Sequence, residues 1–201
     1  KKYHLIRNLV FGWVTIVLLA GFLLDIPKIN ILEHTARNLY FHVPMWFTMM
    51  AAAFVSGYHS FKVLQTGDPV RDIRALQAAR IGTFFGILGL LTGIIWSKFT
   101  WYIGTDVWGS FDPRRISVTF QLLFYGAYVV LRSTFDDPMK RARISAAYHL
   151  FAMSAIPFLL YVIPRQMESL HPGAEGNPAF SEITHPIMRM VFYPAIIGFI
   201  G

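Results

Sequence analysis

The chain carries seven histidines and no cysteine. Imidazole is therefore the side chain with the widest scope for metal chemistry, while disulfides, thiolate zinc sites, iron–sulfur clusters and thiol redox chemistry are excluded. Two histidines stand in suggestive company: His42 in Tyr40-Phe41-His42-Val43-Pro44, and His171 in Leu170-His171-Pro172-Gly173. Two imidazoles can supply both axial ligands of one haem iron. Between them lies an aromatic stretch, about 97–115, with Trp96, Trp101 and Trp108 joined by Phe99, Tyr102 and Phe111. Such rings can stack against a porphyrin face. Arg114 and Arg115 close the stretch and could meet the propionates through charge-assisted hydrogen bonds. Asp112 fits as a hydrogen-bonding support for a ligand or loop, and equally as the N-cap of a helix opened by Pro113; the cap is the preferred structural role. Each element also has a plain reading: an amphipathic histidine, tryptophans of an interfacial belt, solvated arginines. Their convergence on one face favours haem.

The positioning elements follow from composition. Of 201 residues, 55% are hydrophobic and 14% charged, and mean hydropathy is +0.47. Soluble domains carry about 25% charged residues, so this chain has too few charges for a water-soluble globule. It reads as an all-α, polytopic membrane helix bundle of six transmembrane helices. The spans lie near Asn8–Leu24, Leu39–Leu64, Ile81–Trp96, Ile116–Leu131, Ala146–Ile163, and from Ile187 to Gly201. Strand-like alternation is absent, which argues against a β-barrel. The first span has no small-residue cleavage site after Asp25, unlike a signal peptide. The chain starts without Met and ends inside an apolar run, so the last helix is expected to be truncated. The whole of 1–201 is expected to form one integral-membrane domain.

Charge gives the sidedness. With the N-terminus inside, eleven of the 18 Lys and Arg fall inside and seven outside, and the formal net charge of +7 resides on the inner face. This predicts an N-in, C-in topology and offers no support for nucleic-acid binding. The stretches near 65–80 and 132–145 read as short basic connectors. His34, His42, His171 and His185 fall at the outer side; His4, His59 and His149 fall at the inner side. His42 and His59 are 17 residues apart, or roughly 25 Å along a helix, and cannot share an iron. His59 and His149 share an inner depth and form an alternative pair.

These motifs resemble the CcmC-type haem-handling membrane proteins of cytochrome c maturation, within the CcmC/CcsA group that carries a tryptophan-rich "WWD" loop. The resemblance covers about Arg37 to Arg189 in matching order. Leu39–Pro44 resembles the first histidine motif, Leu91-Thr92-Gly93 with Trp96 and Trp101 the approach to the loop, Phe135-Asp136-Asp137 a cytoplasmic signature, and Leu170–Gly173 the second histidine motif. Pro186, Met188 and Arg189 fit the lead into the last helix. The loop departs from the family pattern: from Trp101 to Asp112 it is about four residues longer and poorer in tryptophan, with Phe111 replacing one. The resemblance implies a protein of the bacterial inner membrane that binds haem b on its periplasmic side. His42 and His171 would be its axial ligands, and Trp96, Trp101, Trp108, Phe111, Asp112 and Arg114 its platform. It further implies transfer to a CcmE-type periplasmic chaperone, with CcmA and CcmB ABC-type subunits and a small CcmD-type protein as partners, rather than catalysis of bond making. Two alternatives stand beside it: a CcsA-like subunit of cytochrome c synthase, and a b-type electron-transfer cytochrome using His59 and His149. A cofactor-free transporter would call for buried charges or broken spans.

Overall fold

A computed structural model describes residues 2–29, 32–102, 112–169, 171 and 185–201. The described residues are helical throughout their ordered elements, and no strand occurs among them. Helix α1 (Lys2–Leu23) is followed by a 3-10 turn (Glu33–Asn38) that runs into α2 (Leu39–Thr66). Then come α3 (Pro69–Phe99), α4 (Pro113–Ser133) and α5 (Pro138–Ser154). A π-helical stretch (Phe158–Val162) leads into the short α6 (Ile163–Arg165), and α7 (Pro186–Ile200) ends the chain. Five segments are long and apolar enough to cross a membrane: Lys2–Leu23, Glu33–Thr66, Pro69–Phe99, Pro113–Ser133 and Pro138–Arg165. The protein is a multi-pass helical membrane protein. At the sixth expected span, α7 is an apolar helix of 15 residues that runs to the last residues of the given sequence.

The helices extend past the apolar spans because their starts are built by Asp-Pro pairs. Proline fits the first helical position, and the preceding aspartate accepts from the unpaired N–H groups behind it. Asp68 accepts from Val70 N (2.8 Å), Asp112 from Arg114 N (2.9 Å) and Asp137 from Lys140 N. The 65–80 and 132–145 stretches are thus largely helical rather than plain connectors. Gly67, at φ +67°, ends α2 in the left-handed conformation that glycine adopts without steric cost. The fifth span is not continuous: Pro157 lacks the N–H that the ladder requires, and the π-helical stretch follows it.

The chain divides into two compact units. The first comprises Lys1–Thr48, Leu91–Ser110 and Leu170–Gly201. Its core is built from Val17, Tyr40, Trp96, Val191, Phe192 and their neighbours. Glycine notches let its helices approach closely. A Cβ on Gly21 would lie 3.1 Å from the Tyr40 ring, and one on Gly198 only 2.7 Å from Trp13. Trp13 Nε1 also donates to the Pro194 carbonyl (2.9 Å). The Arg37 guanidinium reaches the carbonyls of Gly21, Phe22 and Leu24 at the end of α1, where open carbonyls favour a cation. Large apolar side chains such as Phe11 (76% exposed) and Leu9 (63%) cover the free faces of α1, as a lipid-facing helix requires.

The second unit comprises Met49–Leu90 and Phe111–Ser169. Polar bonds tie its helices together. Ser56 Oγ donates to the Ala75 carbonyl (2.7 Å), Gln121 Nε2 to the Ala152 carbonyl (3.1 Å) and His149 Nε2 to the Ala53 carbonyl (3.2 Å). Arg132 and Asp72 form a largely buried bidentate pair, with both N–O distances 2.7 Å, and the guanidinium lies over the Tyr128 ring. Asp72 is therefore a structural anchor, not a loop charge.

Candidate functional site

His42 sits in the first turn of α2 and is 8% exposed. Both of its ring nitrogens are engaged. Trp46, one turn further along the same helix face, places Nε1 at 3.1 Å from His42 Nε2. Thr92 Oγ1 of α3 lies 3.0 Å from His42 Nδ1. These contacts fix the tautomer by elimination. An indole N–H donates and never accepts, so Nε2 must offer its lone pair. In a neutral ring the hydrogen then resides on Nδ1, which donates to Thr92. This is the tautomer that can bind a metal through Nε2 while the other nitrogen is held.

Gly93 explains how the ring fits. A Cβ there would lie 2.8 Å from His42 Cε1, so any larger residue would push the imidazole off α3. Leu91-Thr92-Gly93 is thus a seat for His42: Thr92 supplies the hydrogen-bond acceptor and Gly93 the space.

A series of edge-on ring contacts continues from His42. Its ring meets Trp96 (centroids 5.8 Å apart, 69°), Trp96 meets Trp101 (5.6 Å, 68°), and Trp101 meets His171 (5.1 Å, 60°). Edge-to-face geometry at 4.5–7 Å is the favourable arrangement for aromatic rings. Trp96 is anchored separately, donating through Nε1 to Thr35 Oγ1 (2.9 Å). Thr35 in turn donates to the Leu32 carbonyl. At the end of α3, Thr100 Oγ1 donates to the Trp96 carbonyl (2.6 Å) and Tyr102 N to the Ser97 carbonyl (2.9 Å), closing the helix where Trp101 turns towards His171. Trp101 Nε1 is buried and has no hydrogen-bond partner among the described residues.

The structure therefore brings together four residues that the sequence singled out: His42, Trp96, Trp101 and His171. Asp112 and Arg114 belong to the second unit. There Asp112 is the N-cap of α4, accepting from Arg114 N and Arg115 N, and Ser169 Oγ donates to its other oxygen (3.1 Å). The cap role is as expected. Trp108 and Phe111 lie outside the described residues. Trp46, Thr92, Gly93 and Thr35 were not assigned roles from the sequence. Trp46 carried a usable signal, its four-residue spacing from His42. Thr92 and Gly93 stood in a quoted motif without a visible reason, because their partner is distant in sequence.

The alternative pair has different surroundings. His149 is fully buried beside the Tyr125 and Tyr128 rings, while His59 Nδ1 accepts from Arg71 Nη1 (3.3 Å). No hydrogen bond or ring contact joins His59 to His149 among the described residues. No group of three or more His, Asp or Glu suited to a bare metal ion occurs among them either.

Fold and site together define a class: a polytopic helical membrane protein with a tautomer-fixed histidine at the head of an indole series. Residues 4–201 match the family model of CcmC, Heme exporter protein C, and the chain belongs to that family. It is similar to Heme exporter protein C of Bradyrhizobium diazoefficiens, 32% identical over 136 residues, covering 64% of this chain and 48% of that relative. The protein of the same name from Paracoccus denitrificans is 26% identical over 172 residues, covering 82% of this chain and 67% of the relative. That of Rhodobacter capsulatus is 26% identical over 147 residues, covering 70% and 56%. The matched stretch thus spans about half of the first relative's length.

Proposed function

We propose that this protein carries haem at one membrane surface during c-type cytochrome maturation, with His42 and His171 as the axial pair. The observation that carries the reading is His42 itself: its hydrogen is placed on Nδ1 towards Thr92, its Nε2 keeps a lone pair held by the Trp46 N–H, and two indoles lead from it to His171.

The donor set fits the cargo. Haem brings an iron with two axial positions, a flat apolar ring and two propionates. Imidazoles suit the first and indole faces the second. The buried N–H of Trp101 is a donor suited to an acceptor on the cargo. In the same reading Trp108 and Phe111 extend the aromatic shelf, Arg114 pairs with a propionate, and Asp112 holds the start of α4 so that Arg114 is presented in one position. A chain without cysteine cannot form thioether links to haem, and the family resemblance implies haem b as the group carried. The positive-inside charge split supports a site on the outer face of its membrane, and family membership supports the bacterial inner membrane, with that face towards the periplasm. Family membership supports delivery to a CcmE-type chaperone alongside CcmA, CcmB and CcmD partners, with the protein acting as a carrier rather than a bond-making enzyme.

Hemin titration of the purified chain tests the assignment. The wild type should give a low-spin, six-coordinate absorption spectrum. His42→Ala and His171→Ala should each convert it to a high-spin or unbound form. A low-spin spectrum retained in both variants would refute the ligand pair.

A further inference from the structure

Trp46 occupies the very electron pair that the proposed function requires. Its indole N–H points at His42 Nε2 across 3.1 Å, with the rings edge-on at 5.8 Å and 84°. One lone pair cannot hold a hydrogen-bond donor and an iron at the same time. The surroundings leave the imidazole little freedom to turn another nitrogen outward. It is 8% exposed, it abuts Gly93, where even a methyl group would clash, and its Nδ1 is held by Thr92. Trp46 is only partly buried, so the indole is the partner better able to move.

We propose that Trp46 is a placeholder for iron on His42: its N–H holds the Nε2 lone pair until haem takes it, and competes for that pair while haem is bound. The inference rests on the assignment of His42 as an axial ligand. The exchange is balanced. The N–H···Nε2 hydrogen bond breaks, Nε2 donates its pair to the iron, and no proton leaves the ring because the hydrogen is already on Nδ1. Trp46 keeps its own hydrogen throughout. A competitor of this kind reduces the fraction of protein competent to bind and so weakens apparent affinity. It suits a carrier, which must hold its cargo and also release it. It also keeps a buried acceptor satisfied when no cargo is present.

Trp46→Phe is the direct test, because it keeps an aromatic ring at the position and removes the donor. Loss of one neutral hydrogen bond should tighten hemin binding by about 2- to 10-fold, and speed its uptake by the apo-protein. Tighter binding is informative because damage to the site would weaken it. Unchanged or weaker binding in Trp46→Phe, with low-spin binding lost in His42→Ala, would overturn the placeholder. Low-spin binding retained in His42→Ala would instead refute the ligand assignment beneath it. A second measurement needs no folding variant of Trp46. Nitrogen-15 spectra of histidine-labelled apo-protein, with His42 assigned by its loss in His42→Ala, should show a protonated Nδ1 and a bare, hydrogen-bonded Nε2. A protonated Nε2 would overturn the proposal.

Discussion

The same residue type does opposite work in the two compact units. In the second unit, His149 Nε2 faces the carbonyl of Ala53. A carbonyl only accepts, so this nitrogen carries the hydrogen and the histidine fastens helix to helix. In the first unit, His42 Nε2 faces the N–H of Trp46. That nitrogen must be unprotonated, and its lone pair is held by the indole N–H. Burial does not separate the two, since both are buried. The hydrogen-bonding character of the neighbour does. His149 thus places its hydrogen on Nε2 and ties helix to helix through backbone, whereas His42 places its hydrogen on Nδ1 and leaves Nε2 as the accepting nitrogen.

The contrast can be broken or sharpened by substitution. The largest loss of stability is expected in the second unit. Asp72→Asn leaves Arg132 without its carboxylate in a largely buried setting, which should cost about 3 kcal/mol. Thermal unfolding in detergent should register this while the haem spectrum of the surviving protein stays that of the wild type. Gly93→Ala comes next. The added methyl group meets His42 at 2.8 Å, and overpacking of this kind costs about 1–3 kcal/mol. Here hemin affinity should fall about tenfold, because the displaced atom belongs to the ligand ring. Gly126→Ala is its control: a Cβ there meets nothing within 4 Å, so affinity should not change and stability should rise by up to about 1 kcal/mol, the helix-propensity gain of Ala over Gly. The smallest effect is expected for Thr92→Val, which removes the acceptor that pins the tautomer. A loss of about 1 kcal/mol should appear as a several-fold weaker hemin affinity, opposite in sign to Trp46→Phe.

How much of this was legible beforehand follows from the range of each interaction. The helical class and the spans were readable because apolar length is a local property, and Asp112-Pro113 announced its own cap. The ends were less readable: α3 begins at Pro69 and α5 at Pro138, well before their apolar runs, because Asp-Pro capping extends a helix into polar sequence. The break after Pro157 depends on a backbone donor that a hydropathy profile does not see. In the site, His42, Trp96, Trp101 and His171 stood out by residue type. The residues that decide what His42 can do did not. Thr92 and Gly93 are ordinary helix residues until the fold brings α3 against α2, and the role of Trp46 depends on ring orientation, which spacing alone does not fix. Asp72 looked like one of several connector charges until Arg132, 60 positions away, closed on it.

The central claim is that coordination belongs to the histidines of the first unit. The most direct test compares the reduced-state haem spectra of two double variants prepared in parallel, His42→Ala/His171→Ala and His59→Ala/His149→Ala. The account predicts that the first loses the low-spin bands and that the second keeps them, although the protein unfolds at a lower temperature for want of the His149 bond. Low-spin bands kept by the first variant and lost by the second would contradict it.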